Sequence, residues 1–168
     1  DENTKMAEYR RSIRAVNRRA QVIFEGKDGK QMIGDEEVVL PYDLDKDEII
    51  LQDEDFGIFY IDAADNPDKY VGKKIKTKAQ VFHPSSYPAN TFVPGRFAMT
   101  CCAEDIQFVG FKSYSDKAKD FEDREWVVVE AEIGKEFYEE FGGEGPVFHV
   151  NSVVKAEPAE DELVYFTY

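Results

Sequence analysis

The chain has 168 residues, of which 42% are hydrophobic and 14% aromatic, enough apolar side chain for a folded core and against global disorder. Its 35 acidic and 21 basic residues give a net charge of −14, which repels phosphate backbones and argues against nucleic acid as a partner. Two cysteines cannot form a disulfide framework, and the sequence has no run of about 20 apolar residues that could span a membrane.

Residues 1–20 differ in charge from the rest of the chain. Six basic and three acidic side chains give them a net charge of +3, which leaves −17 for the remainder. Apolar residues recur at spacings of three and four, as on one face of an amphipathic helix, at Met6, Tyr9, Ile13, Val16 and Ala20. This basic helix is predicted either to lie on a membrane surface or to pack on its own acidic domain.

The first residue is Asp1 rather than Met, which predicts a processed or truncated N-terminus. A signal peptide or a membrane segment is expected to precede it in the full-length protein. Residues 21–62 are interpreted as an acidic extension of short strands. Its apolar runs, separated by acidic clusters, are residues 38–42, 48–52 and 56–62.

Residues 63–168 are predicted to form the main β domain, after a turn or loop at residues 66–73. The clearest strand alternates apolar and polar side chains, so that one face lies on a core and the other in water, at residues 74–81. Further strands are predicted at residues 96–102, 107–111, 125–133 and 147–157. The glycine-rich residues 141–146 are interpreted as a loop, and the aromatic C-terminus is expected to pack back onto the domain.

The order of these elements is three strands, a short helix at residues 115–123 and two more strands. This is the order of an OB-fold, a five-stranded Greek-key barrel with a helix between its third and fourth strands. The predicted fold class is therefore mainly β: an OB-fold-like barrel with one short helix, plus an N-terminal helix and extra short strands. A β-sandwich with an incidental helix is the competing architecture.

The stretch from Arg96 to Phe111 holds both cysteines and is the best candidate site in the sequence. It is predicted to form two strands joined by an acidic turn at residues 103–106, which contains Glu104 and Asp105. Arg96 is expected to pair with Asp105 across the hairpin; alternatively, Asp105 is a turn residue whose carboxylate caps backbone N–H groups.

The adjacent Cys101 and Cys102 have three interpretations: packing residues, soft ligands for zinc, copper(I) or arsenite, or a redox pair with a vicinal disulfide. Successive side chains of a regular strand point to opposite faces, so the two thiols can share an ion only if the strand ladder breaks at the turn. For a closed metal site the further ligands on offer are His83, His149 and the carboxylates of the turn.

Four segments resemble the C-terminal domain of the YcgQ-like bacterial membrane proteins. They are NPDKYVGKKIKTKAQVF, GRFAMTCCAEDIQFVGF, EWVVVEAEI and the closing EPAEDELVYFTY. The double cysteine with its flanking Arg96 and Asp105 is the specific part, and Trp126 belongs to the family's Trp-Val strand. The chain departs from the family in lacking membrane helices and in having Glu104 where alanine is common.

The resemblance implies a context rather than a reaction. Full-length members carry N-terminal membrane helices and are encoded beside a predicted permease similar to exporters of organoarsenicals. The chain is therefore expected to be a non-enzymatic accessory or binding domain of that membrane permease system, tethered to the membrane on the extracytoplasmic face of the bacterial cell envelope. It would handle a soft metal or metalloid through Cys101 and Cys102, with no catalytic residue and no cofactor required by the sequence.

Two alternatives stay open. One is an OB-type module that binds an oligonucleotide or an oligosaccharide along its barrel face, although the row formed by Lys74, Lys76 and Lys78 is a small basic surface on so acidic a chain. The other is a thiol redox protein that uses Cys101 and Cys102.

Overall fold

The computed structural model describes residues 39–99, 105–140 and 142–166. The predicted helix over residues 1–20 and the first part of the extension, residues 21–38, lie outside the described residues. So do three of the candidate site residues, Cys101, Cys102 and Glu104.

The described chain is mainly β, and its strands form one eight-stranded mixed sheet. The strands are β1 (Glu48–Ile50), β2 (Lys74–Phe82), β3 (Thr91–Met99), β4 (Gln107–Gly110), β5 (Ser113–Tyr114), β6 (Trp126–Tyr138), β7 (Gly143–Lys155) and β8 (Leu163–Tyr165). One α-helix, α1 (Phe56–Asp65), precedes β2 in this part of the chain, and short 3-10 helices cover Asp53–Asp55, Pro67–Lys69 and Ala118–Asp120.

Five of the strands form a closed cycle of pairings that begins and ends at β2. β2 pairs with β6, β6 with β7, β7 with β5, β5 with β3, and β3 again with β2. Within this cycle the β5–β7 pairing is parallel and the other pairings are antiparallel. β4 continues the sheet beyond β3, while β1 and β8 add parallel strands beside β2 and β3.

The alternation predicted for residues 74–81 is confirmed from Lys74 to Ala79, whereas Gln80, predicted to face water, is buried. Ile75 on β2 is buried opposite Ala131 on β6, whereas the exposed Lys76 lies opposite Glu130 on the other face of the sheet. The inward positions of both strands join one apolar core, because a strand with a period of two buries every second side chain.

Residues 56–62, interpreted from the sequence as a short strand, form most of α1 instead. Phe56 to Ala63 are eight consecutive buried residues, so the helix is enclosed on every side. The ring of Phe59 lies 6.0 Å from that of Phe111 and 6.3 Å from that of Phe148, both on the sheet side of the core. A helix that is buried all round has no polar face, and a short apolar run of this kind cannot be distinguished from a strand by its periodicity.

Further boundaries differ from those predicted: β3 begins at Thr91 rather than at residue 96, and β6 runs to Tyr138 rather than to residue 133. The helix expected at residues 115–123 is only the three-residue 3-10 helix Ala118–Asp120. The glycine loop expected at residues 141–146 is shorter, because β7 already begins at Gly143, which pairs with Tyr138. Gly142 at this turn has a φ of +66°, a conformation that suits glycine, so glycine here closes a tight hairpin rather than a long loop.

The aromatic C-terminus packs onto the domain in part: Tyr165 is 39% exposed, and residues 167–168 lie outside the described residues. Val164 and Phe166 are buried, and Leu163 pairs with Phe97 in the parallel β3–β8 ladder. Among the described residues, no helix has the length and apolar character needed to cross a membrane.

Candidate functional site

The predicted hairpin around the cysteines has its two stem strands in β3 and β4. Arg96 pairs with Val109, and Phe97 pairs with Phe108, whose ring lies 5.2 Å away in an edge-on contact. Residues 100–104, which carry both thiols, connect the two strands and lie outside the described residues. The structure therefore describes the stem of the hairpin, up to Met99 on one side and from Asp105 on the other.

Arg96 is buried in this stem, with 1% of its side chain exposed. Its Nη1 donates to a carboxylate oxygen of Asp53 at 3.0 Å, and its Nη2 donates to the backbone carbonyl of Asp161 at 2.8 Å. The guanidinium carbon lies 5.0 Å from the centre of the Trp126 ring, a cation–π contact. A buried charge is stable only when it is paired and hydrogen-bonded. Arg96 meets that need through its two Nη atoms, which tie distant segments to the stem, while its buried Nε has no hydrogen-bond partner among the described residues.

The partner of Arg96 is therefore Asp53, whereas the sequence suggested Asp105. Arg96 points inward on β3, toward the 3-10 helix Asp53–Asp55, and Asp105 follows the turn, where it is half-buried. The alternative role of Asp105, as a capping residue of the turn, stays a prediction. Asp161 was not among the predicted site residues, because no local pattern relates the acidic C-terminal run to Arg96.

An acidic cavity of about 330 Å³ lies beside the stem. It is lined by four acidic residues and by β8, namely Asp53, Glu54, Glu160, Asp161, Leu163, Val164 and Tyr165. Because β8 pairs with β3, this cavity borders the strand that leads into the thiol-bearing residues. Its carboxylates favour cations over anions near the hairpin. Within the described ranges no three His, Cys, Asp or Glu side chains are grouped so that they could hold a metal ion.

The two histidines have partners away from the stem. The Nδ1 atom of His83 lies 2.9 Å from a carboxylate oxygen of Asp123, and its Nε2 lies 2.8 Å from the carbonyl of Ala118. His149 lies on β7, where its ring stacks on that of Tyr114. Among the described residues, His83, His149 and Asp105 do not form a group that could hold a metal ion, and the metal site at Cys101 and Cys102 stays a prediction.

The motif Pro-x-x-Tyr-x-Gly-Lys that supported the resemblance has a structural role. Tyr70 is fully buried and donates to a carboxylate oxygen of Asp62 on α1 at 2.6 Å, while its hydroxyl lies 2.7 Å from that of Tyr42. Asn66 and Lys69 also donate to Asp62. Burial, followed by the neighbouring Tyr42 and Asp62, raises the pKa of Tyr70, so it stays a neutral donor. The motif thus anchors the end of α1 to the sheet.

Asp65, at the end of the same helix, predicts a pH dependence of stability. Burial, and then the neighbouring Asp62, raises the pKa of Asp65 from 3.8 to about 6. Between about pH 4 and pH 6 the folded chain keeps a proton that the unfolded chain has lost, so stability falls as the pH rises through this window. The carboxyl group is partly solvated, so we expect this loss to be about 1 kcal/mol.

We therefore expect Asp65→Asn to raise the free energy of unfolding by about 1 kcal/mol near pH 7 and to leave it unchanged near pH 4. Urea denaturation of the variant and the parent at both pH values measures the difference. Asp116→Asn, at an exposed position, is the matched control and should show no such difference. An equal effect of Asp65→Asn at both pH values would show that titration of Asp65 is not the cause.

Two sequence comparisons bear on the origin of this arrangement. The sequence model of the family described as "DUF1980 C-terminal domain" matches residues 29–166. A curated protein, UPF0703 protein YcgQ of Bacillus subtilis (strain 168), is 25% identical over 120 residues. These residues make up 71% of this chain and 42% of the Bacillus protein, so the chain corresponds to less than half of that relative's length.

Proposed function

Since the chain belongs to the DUF1980 C-terminal domain family, we propose that it is a non-enzymatic binding domain that serves a membrane permease. The YcgQ-like resemblance expected from the sequence is confirmed by the two matches. The permease partner, the membrane tether and the extracytoplasmic location follow from that resemblance as proposals for this chain.

The proposed ligand is a soft metal or metalloid bound by the thiols of Cys101 and Cys102. The observation that carries this proposal is the buried Arg96, which fixes the stem of the hairpin and places an acidic cavity beside it. Thiolates are soft ligands, and arsenite can bind two of them as two As–O bonds are replaced by As–S bonds with release of two water molecules. The carboxylates of the acidic cavity favour cationic forms of a soft metal beside the stem.

The finer fold class that we propose is an OB-type barrel. The cyclic order of strand pairings supports it, because a sheet closes on itself when its first and last strands pair. A sandwich, the competing architecture, consists of two stacked sheets. The helices differ from the OB order expected from the sequence. The helix that packs in the core precedes β2, and the helix expected after the third strand is reduced to one 3-10 turn.

The lysine row on β2 supports a partner other than nucleic acid. Lys74 lies opposite Glu132 and Lys76 lies opposite Glu130 across the β2–β6 ladder. Opposite charges at directly paired positions stabilise each other, so the row is largely neutralised on the surface of the sheet. A basic track of the kind that binds a phosphate backbone is thereby weakened.

Titration of the reduced 168-residue chain with arsenite tests the ligand proposal. We expect one arsenic atom per chain by native mass spectrometry, together with protection of both thiols from alkylation. Cys101→Ser and Cys102→Ser should each weaken binding at least about tenfold, because each removes one of two As–S bonds. Thr100→Ser is the control and should bind like the parent.

Two results would contradict the proposal. Binding that survives in the Cys101→Ser/Cys102→Ser double variant would place the ligand elsewhere. If a chain whose two thiols are freely alkylated binds none of arsenite, zinc and copper(I), the proposal of a soft metal or metalloid ligand is wrong. Thiols that become alkylated only after reduction would favour the redox alternative instead.

The partner proposal has a separate test. The permease encoded beside the full-length protein should copurify with it from detergent-solubilised membranes. Deletion of residues 73–157, which removes β2 to β7, should abolish the complex. A complex that is unaffected by this deletion would show that the domain does not mediate the contact.

A further inference from the structure

A second surface of the molecule carries aromatic and charged side chains that the hairpin proposal does not use. It is the outer side of the sheet at β5, β6 and β7, and it is termed the tyrosine face. Its residues are Tyr87, Lys112, Tyr114, Glu136 and His149. The β5–β7 register pairs Ser113 with Phe148, both buried, and Tyr114 with His149 on the opposite side. Strand alternation therefore directs the Tyr114 and His149 side chains away from the core.

Two rings of the tyrosine face form a flat stack. The rings of Tyr114 and His149 lie 5.7 Å apart with an angle of 21° between their planes. A Cβ atom on Gly134 of β6 would come within 2.8 Å of the His149 Nε2, so glycine at this position lets the imidazole lie close to the strand. Since His149 is exposed and Tyr114 is partly exposed, the stack is open to solvent.

Lys112 adds a cation beside this stack. Its Nζ lies 5.3 Å from the centre of the Tyr87 ring and 5.7 Å from that of Tyr138. In the part of the chain that the structure describes, Lys112 has no carboxylate within ion-pair distance, although the chain has a large excess of acidic residues. Its half-buried ammonium group therefore keeps N–H donors for water or for a ligand.

Three tyrosines at or near this face have raised pKa values. Burial raises the pKa of Tyr60 and of Tyr138, and the nearby Tyr87 adds to both shifts. Burial also raises the pKa of Tyr114, followed by its hydrogen bond to Glu136, which accepts from the Tyr114 hydroxyl at 2.7 Å. These hydroxyls thus stay protonated. Tyr60 and Tyr138 are buried and the Tyr114 hydroxyl is bonded to Glu136, so the face offers a ligand the Glu136 carboxylate and the Lys112 ammonium group beside one stacked pair of rings.

From this arrangement we propose that the tyrosine face binds a short, uncharged oligosaccharide. A sugar ring presents an apolar C–H face that packs on an aromatic ring, and its hydroxyls need both donors and acceptors at the edge of the ring. The Tyr114–His149 stack provides the aromatic surface. Lys112 provides the hydrogen-bond donor and Glu136 provides the acceptor. Barrels of the proposed OB type bind oligosaccharides as one of their ligand classes.

Charge favours a saccharide over single-stranded nucleic acid, although bases also stack on aromatic rings. The chain carries a net charge of −14, and both Glu132 and Glu136 lie on the outward side of β6. A phosphate backbone would meet one unpaired lysine among these carboxylates, whereas an uncharged sugar is not repelled. This site does not depend on the thiols of the hairpin.

The test is binding of the 168-residue chain to hexasaccharides of glucose, N-acetylglucosamine, xylose and galactose, with oligo(dT) as the competing class. Isothermal titration calorimetry should give a dissociation constant below about 1 mM for at least one hexasaccharide. Tyr114→Ala and Lys112→Met should each weaken that binding at least about tenfold. Tyr165→Ala, which removes an exposed ring on β8, and Lys119→Met, at an exposed position, are the matched controls.

Circular dichroism and thermal unfolding of each variant separate loss of binding from loss of fold. Tyr114→Phe, which keeps the ring, should retain more affinity for the hexasaccharide than Tyr114→Ala. The proposal is overturned if no hexasaccharide binds, if the face variants bind as the controls do, or if oligo(dT) is the ligand lost in these variants. Binding that persists in the Cys101→Ser/Cys102→Ser double variant is expected, so failure of the thiol proposal and failure of this one are distinguishable.

Discussion

Replacement of Gly57 by alanine should destabilise the fold by about 3 kcal/mol, although alanine is the better helix former. Gly57 lies on α1 where the helix backbone touches β8. A Cβ atom at this position would overlap the carbonyl oxygen of Tyr165 and lie 2.8 Å from its carbonyl carbon. Because both obstacles are backbone atoms, no rotamer change relieves the overlap, and either α1 or β8 has to move.

The sign of the effect makes this prediction specific. In an open helix, glycine to alanine stabilises by about 1 kcal/mol, so a loss at Gly57 can come only from the contact with β8. The matched control is Ala64→Gly on the same helix, which should cost about 1 kcal/mol, chiefly through helix propensity, because Ala64 is only partly buried where it packs against the core. Urea denaturation measures both changes. A Gly57→Ala variant as stable as the parent would show that α1 and β8 do not touch as described.

Removal of the Asp53 carboxylate should also cost about 3 kcal/mol, because it leaves the guanidinium of Arg96 buried without its counter-charge. The two members of this pair differ in exposure: the Arg96 side chain is 1% exposed and the Asp53 side chain 34%. Asp53→Ala is therefore expected to cost more than Arg96→Met, since the carboxylate left by the second change can be hydrated whereas the guanidinium left by the first cannot.

A double-mutant cycle checks this asymmetry. The Asp53→Ala/Arg96→Met double variant should be more stable than Asp53→Ala alone, because it removes the unpaired buried charge. Glu54→Ala, at the exposed neighbouring position, is the control and should change stability by less than about 0.5 kcal/mol. Equal losses in the two single variants, with no recovery in the double variant, would contradict the buried ion pair.

The strands could be predicted because their signal is local. Ile75 and Thr77 on β2 alternate with lysines, and Val127 and Val129 on β6 alternate with less buried residues, as every strand with one buried face must. The tail residue Val164 was also placed correctly, because an aromatic and aliphatic terminus gains by leaving water. The family resemblance rested on motifs of the same local kind.

The helix α1 could not be predicted from its pattern. Phe56, Phe59 and Ile61 are all buried, and so are the residues between them, so neither a period of two nor one of 3.6 is visible. Conversely, the apparent capping residue Ser115 and the spacing of Ala118 and Phe121 suggested a helix that the structure reduces to one 3-10 turn. Tertiary burial, rather than local propensity, decided both cases.

The candidate sites show the same division. The stem strands of the cysteine hairpin followed from alternation, but the partner of Arg96 did not, because Asp53 lies 43 residues away in the chain. The tyrosine face corresponds to no motif in the sequence. Tyr114 and His149 come from β5 and β7, and Lys112 lies over the ring of Tyr87, which belongs to the loop after β2.

The sequence by itself determined the β-rich class, the stem strands of the hairpin that bears Cys101 and Cys102, and the family. Each depends on side-chain alternation or on residues adjacent in the chain. Only the tertiary structure decided that Arg96 is buried against Asp53, that α1 fills the core, and that rings from separate strands share one surface. The physical reason is that the neighbours of a strand and the counter-charge of a buried group are set by the packing of distant segments.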